Sequence, residues 1–131
     1  MDHSSAQAWL DRYVAAWLSY DRADVTALFS EDVAYRYHPY DDPITGRDDV
    51  VASWLGERDS EDASSRDLPG TYGAHYRPVA VDGDTVVATG SSEYRDQPDG
   101  PVTKTYDNCF VMRFDDQGRC REFTEYYLRR P

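Results

Sequence analysis

The sequence predicts an α+β fold in which three N-terminal helices pack against a strongly bent, mostly antiparallel sheet. Two observations predict it. Apolar residues recur at helical spacing up to about residue 55, and from residue 71 they fall in four strand-like runs separated by turn signals. Helices followed by consecutive strands give an α+β order rather than an alternating one. The 131 residues suit one domain spanning 1–131, long enough to bury a core.

The elements follow in order. Ser4 and Gln7 have the spacing of a capping box, and the helix they open carries Trp9, Leu10, Tyr13, Val14, Trp17 and Leu18 in one apolar stripe to about Tyr20. Asp21 or Asp24 can cap a short second helix through Leu28 and Phe29. Residues 33–38 (VAYRYH) read as a strand that Pro39 closes. Thr45 with Asp48 opens a third helix carrying Val50, Val51, Trp54 and Leu55. Residues 57–70 are polar and aperiodic, the pattern of a mobile loop that could act as a lid. Four strands follow over 71–81, 85–95, 102–114 and 119–129, with turn signals at DGD (82–84), DQPDG (96–100) and DDQG (115–118). A bent sheet wrapped around helices leaves a concave, aromatic-lined mouth, where small-molecule sites form.

Charge and composition narrow the partners. A formal net charge of −11, with one lysine among 14 scattered basic residues, argues against nucleic acid and against an anionic membrane surface. No apolar run is long enough to span a bilayer, and the first residues lack a signal-peptide pattern, so a cytoplasmic location is expected. The last turn would set Cys109 opposite Thr124 and Cys120 opposite Arg113, which gives the two cysteines no disulfide partner. Residues 35–49 are unusual: three tyrosines, four aspartates, two prolines and His38 in fifteen positions. They read as strand end, rim and helix start in succession, with Tyr35 or Tyr37 inward, His38 and Tyr40 beside the mouth, and Asp41 and Asp42 in the turn. Adjacent carboxylates before a proline are ordinary turn chemistry. A metal site would need three or four converging ligands, and none is assigned.

The first helix, the ALFSEDV segment (27–33), the TGRDDVV helix start (45–51) and the closing FDDQGRCREFTEYY (114–127) together resemble the nuclear transport factor 2-like superfamily. More narrowly, the chain is similar to its SnoaL-like branch of polyketide cyclases and ketosteroid isomerase relatives. The resemblance implies a cone-shaped α+β barrel with a ligand inside the cone and homodimerisation through the open sheet face. It also implies chemistry ranging over isomerases, dehydratases, cyclases, epoxide hydrolases and non-catalytic binders, so fold alone does not choose. Tyr13 matches the position of the isomerases' oxyanion-hole tyrosine. Their aspartate base falls on Tyr37 or His38, and their second oxyanion donor falls on Phe110, so a plain steroid isomerase is not implied. The Asp–Arg–Asp set of the epoxide hydrolases has no placed counterpart.

Setting the last two strands beside those isomerases turns Asn108, Phe110, Met112 and Phe114 inward on one, and Phe123, Glu125 and Tyr127 on the next. Glu125 among aromatic rings would have a raised pKa, as a general acid or base near neutral pH requires. Its bland alternative is a salt bridge or exposure at the rim. A histidine can take a proton at physiological pH without much tuning, which makes His38 a candidate, and it is equally readable as a hydrogen-bonded rim residue. Tyr13 or Asn108 would donate to a developing oxyanion. Trp17, Tyr37, Tyr40, Trp54, Tyr106, Phe110, Phe123 and Tyr127 complete the expected pocket, while Trp9 reads as structural and His75 depends on strand register. The expected function is a cofactor-independent isomerase, cyclase or dehydratase acting on a small apolar or aromatic carbonyl compound. The alternative is a binding or interaction module without chemistry.

Overall fold

A computed structural model describes residues 1–57 and 67–131. Helix α1 spans His3–Ser19, α2 Arg22–Thr26 and α3 Arg47–Trp54. The strands are β1 Phe29–Arg36, β2 Ile44–Thr45, β3 Tyr72–Asp82, β4 Thr85–Arg95, β5 Val102–Phe114 and β6 Cys120–Arg129. They form one six-stranded sheet in the order β2-β1-β6-β5-β4-β3, in which β1 runs parallel to β6 and every other pair is antiparallel. The sheet curls around α1 but does not close, since β2 and β3 remain its two edges. The expected α+β architecture is therefore present as a half-open cone.

Local chemistry explains the boundaries and the departures from expectation. The capping box of α1 uses Asp2 and Ser5, not Ser4 and Gln7: the Ser5 amide donates to the Asp2 carboxylate at 2.8 Å and the Asp2 amide to the Ser5 hydroxyl at 3.0 Å. Gln7 instead donates to the Tyr76 carbonyl at 3.0 Å, tying α1 to β3. Tyr20 ends the helix in the left-handed conformation, and Asp21 caps α2. Strand β1 starts at Phe29, earlier than the expected Val33, because exposed Glu31 and Asp32 lie at a register irregularity that hides the strand's alternation. Helix α3 has no side-chain cap. Thr45 lies in β2, and Gly46 at φ +94° starts the helix while its amide donates to the Val33 carbonyl at 2.8 Å.

The core fills the space between α1, α3 and the concave sheet face. Trp9 is buried with its indole N–H on the Leu28 carbonyl at 3.0 Å, and its ring meets Tyr13, Phe29, Phe114 and Phe123. Gly90 of β4 permits the close approach of β3. A Cβ there would come 1.9 Å from the His75 carbonyl oxygen and 2.6 Å from the Tyr76 ring. The cysteine register differs from the expected one. Cys109 pairs with Tyr126 and Cys120 with Phe114, because an irregularity between Arg113 and Phe114 shifts the ladder. Both thiols are free.

Candidate functional site

Side chains from α1, β1, β3, β4, β5 and β6 enclose a cavity of about 320 Å³ inside the cone. Eight tyrosines line it: Tyr13, Tyr35, Tyr37, Tyr72, Tyr76, Tyr94, Tyr106 and Tyr127. With them stand Trp17, Asp67, Ser92, Lys104, Asn108 and Glu125. The wall is aromatic in its rings and polar in its hydroxyls, so it favours a flat molecule with oxygen functions over a purely apolar one.

Glu125 is the partly buried acid of this cavity. Burial pushes its carboxyl up to about 7, and a hydrogen bond from Asn108 only partly offsets the shift. Ladder pairing sets Phe110 opposite Glu125 and Asn108 opposite Tyr127, which brings the Asn108 amide within 3.3 Å of the Glu125 carboxylate. The Asn108 carbonyl in turn accepts from the Ser92 hydroxyl at 3.1 Å. The chain Ser92–Asn108–Glu125 thus orients the carboxyl, and it engages Asn108 at both ends of its amide.

Two phenols from different elements meet near this carboxyl. Tyr13 and Tyr35 are both buried, and desolvation holds each well above the usual tyrosine range, with Glu125 adding to both shifts. They remain neutral O–H donors at any physiological pH. The Tyr35 hydroxyl has no hydrogen-bond partner among the described residues, although Tyr13 and Trp54 lie near enough to favour its ionised form. Its ring is fixed by parallel stacking on Phe123, 4.6 Å between centroids. A buried phenol held in place and left unpaired at a cavity wall is suited to a ligand oxygen.

The remaining expected site residues divide by position. Trp17, Tyr37, Tyr106 and Tyr127 line the cavity. Tyr37 shares a 2.9 Å hydrogen bond with Ser53. Trp54 lies in the core behind Trp17, stacked on it at 3.8 Å, rather than across the mouth. Phe110 and Phe123 are fully buried beneath the cavity and are not part of its lining. Tyr40 is 81% exposed and stacks on His38, outside the cavity. His38 bonds to Asp41 and to Tyr127 at the rim. His75 is exposed on the face opposite Tyr76. Residues 58–66 of the expected lid lie outside the described residues.

The sequence left Tyr35 and Tyr37 as alternatives for the inward position, and it did not single out Tyr72, Tyr76, Ser92 or Tyr94 as site residues. Their signal was the even spacing, four residues for Tyr72/Tyr76 and two for Ser92/Tyr94, which places each pair on one sheet face. Among the described residues no three His, Cys, Asp or Glu side chains converge as a metal site. No described helix is long and apolar enough to cross a membrane.

The SnoaL-like domain model matches residues 10–123, nearly the whole chain. The chain belongs to the SnoaL-like domain family. Solved structures share its fold at low identity. A candidate ketosteroid isomerase from Kribbella flavida superposes with a TM-score of 0.65 at 19% identity, covering 97% of this chain and 80% of that one. A nuclear transport factor 2-like protein of unknown function from Mesorhizobium loti gives 0.61 at 20% identity, covering 96% and 93%. Another from Burkholderia xenovorans gives 0.63 at 15% identity, covering 95% and 83%. No curated protein matches the chain in sequence. At these identities the neighbours establish the fold, and the SnoaL-like cavity must speak for its own chemistry.

Proposed function

We propose that this SnoaL-like chain binds a one- or two-ring carbonyl compound in the tyrosine-lined cavity and moves a proton on it by general acid–base catalysis, without a cofactor. The observation that carries the reading is Glu125, a carboxyl raised to about 7 in the wall of the aromatic cavity, hydrogen-bonded to Asn108 at 3.3 Å. A carboxylate poised there can take a proton from the carbon next to the carbonyl and return it to a neighbouring position. The O–H groups of Tyr13 and Tyr35 would donate to the oxygen as it gains negative charge, and both stay protonated to do so. Asn108 then positions Glu125 rather than serving the oxyanion. A volume of about 320 Å³ is at the small end of ligand pockets and favours one or two rings over a tetracyclic skeleton. Isomerisation, cyclisation and dehydration all begin with this step.

The same reading includes a homodimer through the outer sheet face, supported by exposed Val79, Val111, Tyr126 and Leu128. The decisive test of the chemistry is deuterium exchange next to the carbonyl of 2-tetralone in heavy water, followed by NMR. The wild type should accelerate exchange, and Glu125→Gln should slow it at least ~100-fold. A folded wild type that binds 2-tetralone without exchanging its protons is a binding module, and the catalytic reading fails.

A further inference from the structure

At the rim, three residues from two distant segments join in a line. The Asp41 carboxylate lies 2.8 Å from His38 Nδ1, and His38 Nε2 lies 2.8 Å from the Tyr127 hydroxyl, 89 residues away in sequence. The turn His38–Asp41 builds the first half: Pro39 occupies its second position, the Asp41 amide donates to the His38 carbonyl at 3.1 Å, and Arg36 donates to the Asp41 carbonyl at 3.2 Å. Strand β6 builds the second half, since Tyr127 projects two residues beyond Glu125 on the same face. Tyr127 lines the inner cavity and His38 does not, so the phenol stands between the cavity and the imidazole. Tyr40 stacks flat on His38 at 5.1 Å and Tyr106 packs edge-on against Tyr127 at 5.5 Å, which restrains both rings.

An Asp–His pair of this kind holds one imidazole tautomer. The carboxylate accepts from Nδ1–H, which leaves Nε2 as the acceptor for the Tyr127 O–H. We propose that Asp41, His38 and Tyr127 form a proton relay at the mouth of the cavity, taking the proton of a phenolic or enolic hydroxyl on the bound ligand. The ligand O–H passes its proton to the Tyr127 oxygen as the Tyr127 proton moves to His38 Nε2. His38 becomes an imidazolium beside the Asp41 carboxylate, and the ligand is left as a phenolate or enolate. One proton moves and no other bond breaks. Half-exposed His38 then releases its proton to water. Tyr127 touches the ligand, and Asp41 is a positioning residue.

The inference rests on the cavity being a ligand site, and it gives that site a second acid–base group some ~7 Å along the strand from Glu125. The ligand class is then a ring compound with an ionisable hydroxyl at its outer end.

The probe is 4-nitrophenol, whose neutral and ionised forms absorb at different wavelengths, titrated with the full chain at a pH where most of the free phenol is neutral. The wild type should bind it with the spectrum of the phenolate. Tyr127→Phe and His38→Ala should bind it as the neutral phenol, with the ionised fraction reduced at least tenfold. Nitrogen-15 NMR of the three histidines, assigned with His38→Ala, should place the His38 proton on Nδ1. Asp41→Asn should lose that tautomer and Asp41→Glu should restore it, a rescue that a merely structural role for Asp41 would not give. Wild-type binding as the neutral phenol, no binding at all, or a His38 proton on Nε2 would each overturn the relay. A wild type that gives the phenolate spectrum but does not exchange the protons of 2-tetralone would overturn the Glu125 mechanism and leave the relay standing.

Discussion

The raised carboxyl of Glu125 makes the stability of this protein depend on pH in a calculable way. An unfolded glutamate titrates near 4.5, and in the folded chain burial raises the group to about 7. Between those values the folded state holds a proton that the unfolded state has lost, so stability falls as pH rises. The penalty is absent below about pH 4.5, accrues through the window up to 7, and is complete above it. A displacement of two to three pKa units corresponds to roughly 3 kcal/mol. Glu125→Gln keeps the acceptor for Asn108 and carries no charge, so it should be free of this loss. Urea denaturation of both proteins at pH 4, 6 and 8 should give free energies that coincide within ~1 kcal/mol at the lowest pH and diverge by roughly 3 kcal/mol at the highest, with glutamine the more stable. In thermal melts the gap at pH 8 is on the order of 10 °C. Parallel stability profiles for the two proteins would refute the reasoning, because Glu125 would then be solvated in the folded state.

Tyr35→Phe removes a hydroxyl that has no hydrogen-bond partner among the described residues. It should leave stability unchanged or raise it by up to ~1 kcal/mol, and yet reduce 2-tetralone exchange, measured on the same sample. Gly90→Ala should destabilise by at least ~2 kcal/mol in urea, since its Cβ meets backbone at 1.9 Å and the close approach of β3 cannot relax. Trp9→Phe loses the bond to the Leu28 carbonyl and part of the core, and should cost ~2–3 kcal/mol with exchange kinetics intact in the folded fraction. Under the proposed homodimer, Leu128→Arg, at a position 77% exposed on the outer sheet face, should shift the sedimentation coefficient from dimer to monomer without altering the cavity.

Much of this architecture was legible because turn chemistry punctuates the second half. Gly83 and Gly118 take left-handed angles of +58° and +75° at the tips of their hairpins, where the sequence shows DGD and DDQG. Strand ends there fall within a residue or so of expectation. Where the backbone departs from regular pairing, the pattern fails. The bulged polar pair Glu31 and Asp32 concealed the start of β1, and the two-residue β2 carries no periodicity to detect. The site was legible in part. Glu125 and Asn108 follow from alternation along single strands once the family resemblance sets the inward face, whereas the meeting of Tyr13, Tyr35 and Tyr76 depends on how three elements curl. The bond from Asp41 to His38 was concealed for a different reason: an aspartate near a proline reads equally well as a turn residue, and here it is both.

Tyr13 joins the stability of the protein to its chemistry. Its ring meets those of Trp9, Trp17, Trp54, Tyr76, Phe110 and Phe123 at centroid distances between 5.2 and 6.4 Å. Such pairs contribute ~0.5–1.5 kcal/mol each beyond their burial. Two features of the cavity act against folding: the desolvated Glu125 carboxyl at neutral pH and the Tyr35 hydroxyl, which has no hydrogen-bond partner among the described residues. The aromatic packing around Tyr13 offsets them and holds its own hydroxyl at the cavity wall. Ring and hydroxyl should therefore separate on substitution. Tyr13→Phe keeps the six ring contacts, so it should fold normally and lose exchange activity, while Tyr13→Leu should lose both. A Tyr13→Phe protein that exchanges 2-tetralone at the wild-type rate would assign Tyr13 to the core alone and leave Tyr35 as the oxygen's donor.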